Sequence, residues 1–240
     1  MIKAIVFDKD GTLIELGQTW DKPTVLMMER IFEDYHVDKH QQQVIAQRLG
    51  LNEEWTGIVP NSIFAAGSIR DQAQCLAEYV DASVEKLEEV IEDYYIEYID
   101  QQEVQAKLTP GVKNMLADLK QDYTLCLVTN DNYQLTMNIL EKLEILDYFD
   151  FIGCADQYGP KPGPNALYEI CRRFNIKLDE MVYVGDSSLD MEYGQYTAAS
   201  IGYIEQEGHQ SHLKQADYLL DHMQNLRTVV ENITGGVIEA

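Results

Sequence analysis

Ile2-Lys3-Ala4-Ile5-Val6-Phe7-Asp8-Lys9-Asp10-Gly11-Thr12-Leu13 stands at the start of the chain, and its pattern decides the fold. An apolar run is cut off by two carboxylates one residue apart, followed at once by a glycine. An almost unbroken Ile/Val/Phe segment reads as a strand covered on both faces, the situation of strands in parallel sheets flanked by helices. Ligands of open α/β sheets bind in the crevice outside the carboxyl ends of the strands. Asp8 and Asp10 are thereby delivered to the place where such a fold does its chemistry.

Outward from this strand the pattern turns helical and stays so to residue 106. Val25, Met28, Ile31, Phe32 and Tyr35 recur at helical spacing, and Val44, Ile45, Arg48 and Leu49 continue up to Gly50, a helix stop. Gly57 to Gly67, with Pro60 and Asn61, reads as a connection, and a further helix carries Ile69, Ala73, Leu76 and Tyr79. Ser83 caps an acidic helix whose Val84, Leu87, Val90, Ile91, Tyr94 and Tyr98 form its stripe. From Thr109-Pro110-Gly111 onward strand and helix alternate. Strands are expected at 123–128, ending in Thr129-Asn130, at 151–154, at 181–184, ending in Gly185-Asp186, and at 198–204 and 218–220.

Such alternation predicts an α/β fold, a doubly wound parallel sheet of Rossmann-like type with right-handed crossovers. The first strand is separated from its partners by the helical stretch. The expected organisation is therefore a core domain of residues 1–15 and 107–240, with residues 16–106 inserted after strand one as a smaller all-helical cap, or lid.

Eighteen Lys and Arg against 41 Asp and Glu leave a formal charge of −23, which makes nucleic acid and anionic membrane surfaces poor partners. A small anionic substrate remains compatible, because a metal ion and one lysine reverse the potential within a site. The 4 cysteines, Cys75, Cys126, Cys154 and Cys171, lie far apart among apolar neighbours and read as buried free thiols. No signal-peptide pattern and no apolar run of about 20 residues is present. The expected location is cytoplasmic.

Four strand ends or adjacent loops carry polar groups: Asp8/Asp10, Thr129-Asn130, Lys161 before Pro162, and Asp186 with Asp190. In order they read D-x-D-G-T-L, a Thr at a strand end, Lys-Pro, and G-D-S-x-x-D. This set resembles the motifs of the haloacid dehalogenase-like (HAD) hydrolase superfamily, and with its helical insert the chain looks like the phosphoglycolate phosphatase and β-phosphoglucomutase branch. The resemblance implies an aspartyl-phosphate mechanism on small phosphorylated metabolites, phosphoglycolate first among them. Asp8 would be the nucleophile and Asp10 the general acid and base. Thr129, the Asn130 backbone and Lys161 would bind the phosphoryl group, and Gly11 would let the loop approach it without a Cβ clash. Mg²⁺ would be held by Asp8, the Asp10 carbonyl and Asp186, with Asp190 orienting a metal-bound water or Lys161.

Single residues separate neighbouring chemistries. Asp10 speaks against the dehalogenases, which lack the second aspartate, and against P-type pumps, which have Thr there. Lys22, Lys39, Lys86 and Lys107 offer nothing to mark a Schiff-base lysine of the phosphonatase kind. A β-phosphoglucomutase-like mutase and a non-catalytic phosphate-binding or regulatory protein remain as alternatives. Glu15 stands where close relatives often carry Asp, a departure at the hinge. In the cap, Arg70 is a candidate contact for a second anionic group, and Trp20 and Trp55 either line the pocket or pack in the core.

Overall fold

β1, Ala4–Phe7, is buried at every residue and takes hydrogen-bonded neighbours on both sides. The computed structural model describes residues 1–101, 106–204 and 209–235. Five further strands follow: β2 (Thr124–Thr129), β3 (Phe151–Cys154), β4 (Met181–Gly185), β5 (Ala199–Tyr203) and β6 (Tyr218–Leu220). The sheet order is β3-β2-β1-β4-β5-β6, and every pairing is parallel. The first strand lies at the centre, and the chain winds outward from it in both directions.

Between β1 and β2 come α1 (Leu16–Asp34), α2 (Lys39–Leu49), α3 (Ile63–Ala66), α4 (Ile69–Ala77), α5 (Val84–Gln101) and α6 (Val112–Leu119). Later connections carry α7 (Tyr133–Lys142), α8 (Ala155–Tyr158), α9 (Asn165–Phe174) and α10 (Ser188–Gly194), and α11 (Leu226–Gly235) follows β6.

The period of two along the strands builds two cores. Ile5, Phe7, Leu125, Leu127, Val182 and Val184 face one side; Ala4, Val6, Cys126, Val128, Met181 and Tyr183 face the other, against Ala166, Leu167 and Ile170 of α9. The first core continues through Leu13, Ile14 and Leu16 into Met27, Met28, Ile31, Leu76, Leu87 and Ile91. Sheet and helical block therefore share one apolar interior. The segments joining them run side by side: the Glu15 N–H donates to the Lys107 carbonyl at 2.9 Å, and the two side chains pair at 2.9 Å. The expected boundary at residue 106 adjoins residues 102–105, which lie outside the described residues.

Two local expectations change. The buried stripe of α5 is Leu87, Ile91 and Tyr95, at four-residue spacing, while Tyr94 and Tyr98 are half-buried and stack on each other. Tyr95 goes inside because its hydroxyl finds a buried partner, the Thr24 hydroxyl 3.0 Å away. The connection from Gly57 to Gly67 contains α3, whose first turn is capped by the Ser62 hydroxyl accepting from the Ala65 N–H. Cys75, Cys126 and Cys154 are buried and Cys171 half-buried, all as free thiols. Among the described residues no helix is long and apolar enough to cross a membrane.

Candidate active site

Register alone brings the polar strand ends together. Phe7 pairs with Leu127 on one side and Val184 on the other, so Asp8, Thr129 and Asp186 all emerge at the same edge of the sheet. The Asp8 N–H extends the ladder by donating to the Val184 carbonyl at 2.8 Å. β3 ends level with Thr129, and the chain passes through α8 to Lys161, whose N–H donates to Asn130 Oδ1 at 2.8 Å. The Lys161 ammonium then donates to Asp8 Oδ1 at 2.5 Å, Asp190 Oδ1 at 2.7 Å and the Tyr183 hydroxyl at 3.1 Å. Asp8 and Lys161, 153 positions apart in sequence, are both buried and in contact.

Carboxylate oxygens of Asp8, Asp186 and Asp190 lie within 4.8 Å of one another. The loop after β1 closes onto them: Gly11 has φ +78°, and a Cβ there would sit 2.3 Å from Asp186 Oδ2. Glycine is required both for the backbone conformation and for the close approach. The Thr12 hydroxyl donates to Asp186 Oδ1 at 3.0 Å. Asp190 is fully engaged within the protein, Oδ1 by Lys161 and Tyr183, and Oδ2 by the Ser187 N–H and hydroxyl at 3.0 and 2.6 Å.

The electrostatics follow from this inequality. Burial pushes both carboxyls up. At Asp190, the Lys161 charge and the Ser187 hydrogen bonds outweigh burial and hold the group below the ordinary carboxylate range. Asp8 is left with burial and the Asp190 charge against Lys161, and is pushed up to about 7. Three crowded carboxylates facing one ammonium are a donor set suited to a hard divalent cation, which takes oxygen ligands. Both oxygens of Asp190 already accept hydrogen bonds within the protein.

Asp10 is held from two directions. Trp20 Nε1 of α1 donates to Oδ1 at 2.5 Å, and Lys9 Nζ donates to Oδ2 at 2.5 Å. Lys9 is completely buried, lies 2.7 Å from Asp131 Oδ2, and sits 5.2 Å from the centroid of the Trp20 ring. Burial alone would lower its pKa; the two carboxylates outweigh burial and keep it protonated. Sequence reasoning passed over Lys9 and Asp131. The available signal was a lysine inside an apolar strand end between two aspartates, which burial forces to find anionic partners.

These groups line one cavity. Its floor is Asp8, Asp10, Thr129, Asn130, Lys161, Asp186 and Asp190; its roof includes Trp20, Phe64, Ala66, Ile69, Gln72 and Tyr95 from the helical block. Asn130 Nδ2 donates across the seam to the Ala66 carbonyl at 2.9 Å, and Asn61 Oδ1 accepts from the Ser188 N–H and hydroxyl at 3.0 and 2.7 Å. Thr129 Oγ1 accepts from the Asp131 N–H at 3.2 Å. Arg70 is not gathered into the cavity: it is half exposed and engaged with Glu88 at 2.8 Å and Glu85 at 3.7 Å, a surface ion-pair cluster. Trp55 packs on Phe32 and donates to Gln43, away from the cavity, while Trp20 lines it.

Residues 5–202 match the family model of the haloacid dehalogenase-like hydrolases. The chain is 30% identical to a phosphoglycolate phosphatase of Pectobacterium atrosepticum, over 95% of this chain and 92% of that one. It is 24% identical to an N-acetylmuramic acid 6-phosphate phosphatase of Pseudomonas putida, over 98% and 99%. A crystal structure of a predicted phosphoglycolate phosphatase from Haemophilus somnus superposes with a TM-score of 0.68 at 22% identity, covering 95% of this chain and 98% of that one. A β-phosphoglucomutase from Clostridium difficile superposes at 0.67 with 18% identity and full coverage of both chains, 100% each.

Proposed function

The chain belongs to the haloacid dehalogenase-like hydrolase family and is a phosphatase in kind; from that premise we propose that it hydrolyses small phosphorylated metabolites through an aspartyl-phosphate on Asp8, with Mg²⁺ as the metal. The observation that carries this reading is the buried contact of Asp8 with Lys161 on the wall of a cavity that also holds Asp10, Thr129 and Asp186. An in-line attack on a phosphate monoester is limited by charge, so positioned cations and donors supply most of the catalysis.

Lys161 and the N–H groups near Thr129 and Asn130 orient the phosphoryl group against Asp8. An Asp8 carboxylate oxygen forms a bond to phosphorus as the bond to the leaving oxygen breaks, and Asp10 gives that oxygen its proton. Water then attacks phosphorus, Asp10 takes the water's proton, and the bond to Asp8 breaks to release phosphate. Asp8, the Asp10 carbonyl and Asp186 would hold the cation, which offsets the negative charge gathered as carboxylate and phosphate meet. Asp190 keeps Lys161 in place. The helical block serves as the cap that excludes water, joined to the core at Asn61 and Asn130.

A phosphomutase would use the same first step and return the phosphoryl group to a second hydroxyl. Purified protein with Mg²⁺ is expected to release inorganic phosphate from p-nitrophenyl phosphate and from members of a metabolite panel headed by phosphoglycolate, stoichiometrically and with no sugar-phosphate isomer formed. Isomer formation would establish the mutase, and no turnover on any substrate would sink both enzymatic readings.

A further inference from the structure

We propose, on the footing of the phosphatase reading, that the alcohol released from phosphate is uncharged and carries a hydroxyl or amide donor read by Gln72. Gln72 lies on α4, is 6% exposed, and forms part of the cavity wall. Its Oε1 is closed off from solvent and has no hydrogen-bond partner in the protein. A buried acceptor left unmade is costly, and such groups in a binding cavity are paired when the ligand arrives. Thr24, another polar residue on the same roof, has its hydroxyl paired with that of Tyr95.

The charges on the wall point the same way. Among the described residues lining the cavity, Lys161 is the sole cation, and it stands at the phosphoryl end between Asp8 and Asp190. Lys9 is locked between Asp10 and Asp131, and Arg70 is turned to Glu88 and Glu85 on the surface. A carboxylate on the leaving group would be desolvated against Trp20, Phe64 and Ile69, in a cavity whose wall also carries the carboxylates of Asp10 and Asp131. A sugar or polyol instead lays its C–H faces on those rings and gives one O–H or N–H to Gln72.

The test compares kcat/KM of the metal-loaded enzyme on glucose 6-phosphate, glycerol 3-phosphate, phosphoglycolate and p-nitrophenyl phosphate. Wild type is expected to prefer a neutral polyol ester over phosphoglycolate by about tenfold or more, and Gln72→Leu to cut that preference about tenfold. Gln72→Lys is expected to shift the ratio toward phosphoglycolate. Hydrolysis with phosphoglycolate preferred by wild type overturns the inference and leaves the phosphatase reading intact, and needs no variant to fold. Variants that slow every substrate in proportion also overturn it. Failure on all four esters removes the phosphatase reading itself.

Discussion

Asp8 concentrates the conflicts of the site, and its protonation links the fold to the cation. Its folded pKa of about 7 lies above the ordinary aspartate value of 3.8, because burial and Asp190 disfavour the anion. Folded protein therefore binds the extra proton, so without metal its stability falls as pH rises between those two values. Thermal melts in chelator are expected to show a lower Tm near pH 8 than near pH 5, with a divalent cation restoring it at the higher pH. An equal pH slope in Asp8→Asn would refute the assignment. Asp8→Asn is also expected to abolish phosphate release, by about a thousandfold or more, since no carboxylate remains to attack. Lys9 makes a different prediction. Lys9→Met strands Asp10 and Asp131 beside an apolar group, with an expected loss of about 3 kcal/mol in urea unfolding and a weakened acid-base step. An unfolding midpoint unchanged from wild type would show that the pair contributes nothing.

Elements meet the site through their ends. α10 starts with the Ser187 hydroxyl accepting from the Asp190 N–H while the Asp190 carboxylate returns to Ser187, so one capping box both starts the helix and holds the partner of Lys161. α2 stops at Gly50, with φ +109°, where a Cβ would clash with Ser62 Cβ at 2.1 Å. Gly50→Ala is expected to cost about 1–3 kcal/mol, measured by thermal or urea unfolding, while divalent-cation binding at low temperature stays as in wild type. Loss of cation binding in the folded variant would show that α2 and the carboxylate cluster are coupled. Of these ends, Gly50 was read in sequence as a helix stop, while the capped start of α10 emerged from the structure.

At the scale of the molecule the cavity exists only where the helical block meets the sheet edge. Asn61→Ala removes two hydrogen bonds to the start of α10, and is expected to raise KM about threefold or more with Tm nearly unchanged. An unaltered KM would show that this seam does not govern closure. Asp8, Asp10, Thr129 and Asp186 were legible in the chain, because buried parallel strands read as apolar runs and their ends mark the crevice, whereas Lys161 and Asp190 were singled out by the resemblance of their motifs. Parallel pairing was implied by the same alternation, while the order β3-β2-β1-β4-β5-β6 was decided by the tertiary structure. What the residues alone fixed is thus local: which segments are strands, where each ends, and which polar group follows. Only tertiary structure decided that Lys9 is sealed between Asp10 and Asp131, that Tyr95 and Trp20 rather than Tyr94 and Trp55 face the cavity, that Arg70 faces away, and that Gln72 is buried with an unpaired oxygen. Each of those outcomes depends on contacts between segments far apart in the chain. Packing selects among faces and partners that helical periodicity leaves equivalent.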